Sequence, residues 1–155
     1  MQSKAKYYFA ILFNLIVFIC HAQSNTIKDT VSYVMQTYRE QHRAFENTND
    51  SVYAEISEQF PVFTGKTNEV YWLNKQVKKI LNIDSTLSFK QGIQKIHAAY
   101  FADYAKTMNS FKDEGNNPSF NYQCYEEVAI AYNKNGYLIL HSEVYDYSGG
   151  AHGNY

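Results

Sequence analysis

Proline is nearly absent, with Pro61 and Pro118 alone in 155 residues, and glycine contributes only seven. No long low-complexity linker and no tandem repeat divides the chain, so little in it forces a domain boundary. Cysteine is as scarce, being confined to Cys20 and Cys124, and no Cys-x-x-Cys or His-x-x-x-His spacing marks a metal site. Neither sign of charge dominates, with 14 Lys and Arg against 15 Asp and Glu. No basic surface for nucleic acid or anionic lipid is therefore implied. The one long apolar run, residues 7–19, falls short of the roughly 20 residues that a membrane helix needs.

That run follows Lys4 and Lys6 and leads into Cys20-His21-Ala22 before Gln23, the charged, apolar and small-residue order of a signal peptide. Residues 1–22 are expected to be a cleaved leader, which makes the protein exported, periplasmic or extracellular, with no permanent membrane span. Lipidation at Cys20 is the alternative, disfavoured by bulky Ile19 just before it. After cleavage 12 basic residues face 15 acidic ones, a net charge of -3, and Cys124 is the only thiol. An intramolecular disulfide is then impossible. Cys124 sits in an aromatic strand pattern, where a small packed apolar residue is a better reading than a nucleophile.

What the sequence has in plenty is aromatic surface: 15 tyrosines and 10 phenylalanines. Residues 31–45 support strand and helix spacing at once, and the strand is preferred; Val52, Ala54, Ile56 and Phe60 then alternate as a second strand, stopped by Pro61 and Gly65. Val70, Leu73, Val77, Ile80 and Leu81 recur at helical spacing over 68–82, with Thr67 or Asn68 as cap. A second helix starts at Ser88, capped with help from Gln91, and ends at Gly115-Asn116-Asn117-Pro118. Residues 120–132 and 137–147 form a last hairpin. A three-residue loop, 134–136, sets Ile130 against Leu140 and Tyr132 against Leu138; a two-residue Asn135-Gly136 loop would set Ile130 against His141 and is rejected. The expected fold is one α+β domain over 23–155, an antiparallel sheet of two hairpins packed on two consecutive helices.

Few of these residues suggest catalysis. Glu126 and Glu127 point to opposite strand faces, and Glu143 and Asp146 differ in parity, so none of these forms a glycosidase pair. Ser148-Gly149-Gly150 lacks the Gly-x-Ser-x-Gly elbow of a hydrolase nucleophile. His97, on the apolar stripe of the second helix, reads as a hydrogen-bonded core histidine rather than a ligand. His152 reads as a turn histidine. Tyr137, Tyr145 and Tyr147 share one face of the last strand, which serves equally as core or as a recognition platform.

The terminal run Tyr147-Ser148-Gly149-Gly150-Ala151-His152-Gly153-Asn154, with Phe60-Pro61-Val62-Phe63 earlier, resembles the PdaC-type domain, found beside the catalytic domain of some peptidoglycan deacetylases and in lysozyme-sensing anti-sigma factors. The resemblance implies a further sheet-containing segment downstream, absent here, so the chain is expected to be truncated or a short variant. Deacetylase metal-ligand motifs are missing, and no cofactor or metal is implied. The resulting expectation is an exported, non-catalytic module that binds peptidoglycan or a lysozyme-like protein through Tyr137, Tyr145, Tyr147, Gly149, Gly150, His152 and Asn154. The alternatives are a wall-sugar hydrolase using His152 and Asp146, and a structural fragment that needs a missing C-terminal segment. No oligomeric state is implied.

Overall fold

The computed structural model describes residues 29–43, 52–114 and 120–149. The expected leader with Cys20, and the site candidates Gly150, His152 and Asn154, lie outside them. The elements run β1 (Tyr33–Arg43), β2 (Tyr53–Phe63), α1 (Asn68–Ile80), α2 (Phe89–Asp113), β3 (Tyr122–Lys134) and β4 (Tyr137–Tyr147). Two strands, two helices and two strands follow the expected order.

The helices begin where local chemistry allows. Thr67 accepts the N–H of Val70 at the start of α1, and Ser88 with Gln91 forms a reciprocal capping box on α2. Both bury one stripe against the sheet. Val77, Leu81, Ile83 and Ile93 pack with Phe60 and Val128 in one cluster, while Phe101, Tyr104 and Met108 pack with Ala54, Ile56 and Tyr122 in another. Gly92 makes the entry to α2 possible, because a Cβ there would lie 2.2 Å from Ile83 Cγ2. No described helix is long and apolar enough to cross a membrane.

The four strands lie in the order β1-β2-β3-β4. Both hairpins form as expected, but β2 and β3 between them run parallel, so the sheet is mixed rather than antiparallel throughout. The reason is topological. Two helices connect β2 to β3, which returns the chain to its starting end and allows a parallel neighbour.

Two further expectations are corrected, and a third point, left open by the sequence, is decided. First, β2 passes through Pro61 instead of stopping there. Phe63 gives both its N–H and its C=O to Asn74, each at 2.9 Å, so the odd-numbered backbone groups at this end of β2 point away from β1. The ladder to β3 ends at Gln59, and the missing N–H of Pro61 falls where no strand waits for it. Second, the last hairpin does use the two-residue loop: Lys134 pairs with Tyr137, and Asn135 and Gly136 take φ of 54° and 82°. Positive φ at both positions matches the right-handed twist of the strands. The apolar match survives because a bulge between Ile130 and Tyr132 absorbs one residue, keeping Ile130 opposite Leu140 while Tyr132 faces Ile139. Third, the odd-numbered face of β4 is not core. Leu138 and Leu140 pack toward the helices, whereas Tyr137 and Ile139 are exposed.

Asparagine side chains finish the strand ends. Asn121 accepts from Tyr53 N–H, and Asn133 both accepts from Val31 N–H and donates to Val31 C=O, at 3.1 and 2.7 Å. A carboxamide thus stands in for a missing strand. Thr30 Oγ1 also donates to Tyr137 C=O and accepts from Gly136 N–H, so the approach to β1 ties down the far hairpin.

Candidate functional site

Alternation along the strands divides their side chains between two faces. The even-numbered face carries the apolar core together with a chain of ionisable groups. His97, on α2 and only 5% exposed, places Nδ1 2.8 Å from Glu40 Oε2 and Nε2 2.7 Å from Glu58 Oε2. Glu40 also meets His42 Nε2 at 2.9 Å, and His42 stacks on Phe101. With a carboxylate facing each nitrogen, the arrangement favours the protonated ring, which can donate to both. Burial opposes that charge, and the bonds to Glu58 and Glu40 overcome it, so the pKa of His97 is raised. The bond to His97 holds Glu40 below the usual carboxylate range.

The reading of His97 as a hydrogen-bonded core histidine is therefore correct, and its partners are the part that the sequence concealed. Because both ring nitrogens are occupied, His97 has no position left for a substrate proton. Glu126 lies beside Glu58 across the parallel ladder, and burial, followed by the charge of Glu58, pushes it up to about 6. Cys124 is half-buried, and burial first, with Asp146 second, raises its thiol to about 11. Such a thiol carries little thiolate near neutrality and fits the packing role expected of it. Among the described residues no group of His, Cys, Asp and Glu could hold a metal ion.

The odd-numbered face presents a different chemistry. Parallel and antiparallel registers bring Ser57 beside Tyr125 and Tyr125 beside Tyr145, and set Glu127 opposite Glu143. The rings of Tyr125 and Tyr145 lie 5.9 Å apart and 14° from parallel. Around them opens a depression of about 640 Å³, lined by Ser57, Gln59, Tyr125, Glu127, Glu143 and Tyr145 among others. An ion pair on the same face lies toward the β1 side. Arg39 reaches Glu55 Oε1 at 2.7 Å, and the Glu55 side chain is 5% exposed. That bond holds the Arg39 guanidinium above its ordinary pKa, while burial, then a hydrogen bond with Glu55, pushes Tyr125 up to about 12. Gln123 donates to the Tyr53 hydroxyl at 3.1 Å.

Of the residues singled out from the sequence, Tyr145 lines this depression and Tyr147 follows it on the same face, opposite Gln123. Tyr137 stands at the hairpin tip, 71% exposed and ten residues along β4 from Tyr147. Gly149 has φ of 91°, and a Cβ there would lie 2.7 Å from Phe120 Cδ2, so the start of the terminal bend is packed closely, as its glycine suggests. Asp146 pairs with Cys124 on the other face and does not join the tyrosines. Tyr53, Glu55, Ser57, Gln59 and Arg39 went unrecognised. Tyr125 was within reach of the hairpin register, but nothing local predicts a parallel partner.

The depression offers two near-parallel rings, hydroxyls, a carboxamide and two facing carboxylates, but no activated nucleophile. It is equipped to hold a hydroxyl-rich or cationic ligand. Comparisons with known proteins agree on the fold. A solved structure of a DUF3298 family member from Bacteroides fragilis NCTC 9343 superposes with a TM-score of 0.65 at 14% identity, covering 81% of this chain and 54% of that one. This chain thus spans about half the length of that protein. No curated protein matches. The family model described as "Deacetylase PdaC" matches residues 46–155, most of the sequence, and the chain belongs to this family of deacetylase accessory domains.

Proposed function

We propose that this domain is an exported, non-catalytic accessory module that binds cell-wall glycan on the open face of its sheet. The observation that carries the reading is the depression between Tyr125 and Tyr145, floored by polar groups and bounded by Glu127 and Glu143. Sugar rings have apolar C–H faces that stack on tyrosine, and edges rich in hydroxyls that hydrogen-bond to carboxylates and carboxamides. The order of charged, apolar and small residues over 1–22 supports delivery across a membrane. A second reading, a basic wall-acting protein such as lysozyme as the ligand, is favoured by the facing pair Glu127 and Glu143.

Co-sedimentation with insoluble peptidoglycan tests the first reading, with a urea midpoint measured for every variant to confirm folding. Tyr125→Ala and Tyr145→Ala are each expected to weaken binding by about tenfold, the scale of a central aromatic contact. A folded wild-type protein that stays in the supernatant would refute it. Capture of lysozyme without peptidoglycan, lost in Glu127→Gln/Glu143→Gln, would establish the second reading in its place.

A further inference from the structure

Among the described residues the sheet order leaves β1 and β4 as the two edges, and they are not alike. β1 carries Arg39 and Arg43, which discourage a neighbouring strand. Across its 11 residues β4 has no lysine, arginine, proline or glycine, and it exposes Tyr137, Ile139 and Val144 at 71, 55 and 46%. Long, apolar edges without such guards are the ones that accept another strand.

We propose that the strand accepted is the β4 of a second copy of this chain, paired antiparallel about a two-fold axis at Ser142. A two-fold axis perpendicular to a sheet keeps each face on its own side, so only residues of equal parity can face each other, and the residue on the axis faces itself. That leaves a handful of registers. An axis at His141 sets His141 against His141 and Ile139 against Glu143. At Glu143 it sets the two carboxylates of Glu143 against each other. At Leu140 or Val144, Glu143 faces a tyrosine and His141 faces Ile139 or Tyr147. The axis at Ser142 sets His141 against Glu143, Ile139 against Tyr145, Tyr137 against Tyr147, Leu140 against Val144 and Leu138 against Asp146. Four of these five facing pairs are complementary, and Leu138 against Asp146 is the one mismatch.

Two features of the structure favour this register independently. Ser142 is the midpoint of Tyr137–Tyr147, so the whole strand is paired with no overhang. His141 Nε2 already lies 2.8 Å from Glu143 Oε1 within one chain, which holds the two groups ready to alternate with their symmetry mates. The contact uses the same surface on both copies and closes on itself, yielding a dimer with one continuous sheet of twice four strands.

Sedimentation equilibrium of the purified chain up to about 100 μM covers even weak specific association. Wild type is expected to form dimers, and E143K to raise the dissociation constant by about tenfold or more by removing the carboxylate acceptor that faces His141 at two symmetric positions. The double change H141E/E143K exchanges donor and acceptor across the seam and is expected to restore the dimer. In a background with Cys20 and Cys124 replaced by serine, Ser142→Cys should cross-link across the axis on mild oxidation, because facing Cα atoms about 4.5–5.5 Å apart suit a disulfide. Glu143→Cys in that background should not. A monomeric wild type, a dimer indifferent to E143K, or failure of S142C to cross-link would each overturn the proposal.

Discussion

The clearest energetic statement that the structure makes concerns His97, and its test is His97→Leu. Leucine fills much of the space of the ring but removes the one cation between two carboxylates. Glu40 is half exposed and can turn to water, whereas the Glu58 side chain is 2% exposed and cannot. Removing one partner from a buried pair destabilises by about 3–5 kcal/mol, because the remaining charge stays uncompensated. A ceiling applies as well. The fold can always escape by protonating a carboxyl, which at pH 7 takes about 3–4 kcal/mol for a group that titrates near 4.3 in solution. The expected loss is therefore about 3 kcal/mol at pH 7. With a urea dependence of about 1.5 kcal/mol per molar, the midpoint should fall by about 2 M, as followed by circular dichroism. The pH dependence has a definite sign. His97 has a raised pKa, so its contribution is complete below about 6.5 and is lost as pH rises through the folded-state value. The gap between wild type and His97→Leu should thus close at high pH, and also at low pH where carboxyls protonate at no expense. Removing the stranded charge in His97→Leu/Glu58→Leu should recover most of the stability. A midpoint within about 0.5 M of wild type for the single variant at pH 7, or no recovery in the double one, would refute the account, since both follow from the same buried charge.

Three other outcomes follow from particular contacts. Glu126 is raised from 4.5 to about 6, so the protonated form is favoured by folding and stability is lost as pH rises through about 6. Glu126→Gln should therefore be more stable than wild type by about 1–2 kcal/mol above pH 7 and equal to it near pH 4, measured by urea midpoints across pH; a pH-independent difference would contradict this. Gly92→Ala should destabilise by about 1–3 kcal/mol despite alanine's better helix propensity, because the new methyl meets the branched body of Ile83. Restoration by Gly92→Ala/Ile83→Ala in thermal melts checks that cause. Asn133→Ala should lose about 1–3 kcal/mol, since Val31 forfeits both a donor and an acceptor, and hydrogen exchange at Val31 should accelerate first.

How much of this could be read from the chain depends on whether the cause was local. The caps at Thr67 and Ser88, the apolar stripes of both helices and the alternation of the strands are properties of neighbouring residues, and each appears where its pattern lies. The last hairpin failed on a competition between two local rules. Apolar matching demanded Ile130 opposite Leu140, turn chemistry demanded Asn135-Gly136 as the loop, and a single register cannot satisfy both. The structure satisfies both by placing a bulge near Ala131, a third option that neither rule contains. Pro61 misled for a similar reason. Its missing N–H disrupts a strand only on a paired side, and which side is paired depends on where the ladder between β2 and β3 ends.

The same limit explains why the candidate site was only half visible. Tyr145 and Tyr147 announce themselves by alternation on one strand, and the hairpin register carries the argument as far as Tyr125. The other half of the depression, Ser57 and Gln59, with Glu55 and Arg39 on the same face, comes from strands joined to β3 only by the parallel ladder that the two helices impose. Parallel register is set by how a crossover packs, a sum of many weak contacts between α1, α2 and β2, and no pair of residues specifies it. The crossover also decides what each face can do. By laying both helices on the even-numbered side it confines the carboxylates of Glu40 and Glu58 around His97, where they hold structure, and among the described residues it leaves no helix over the tyrosines. Recognition chemistry therefore collects on the odd-numbered side because the connection that makes β2 and β3 parallel covers only one face.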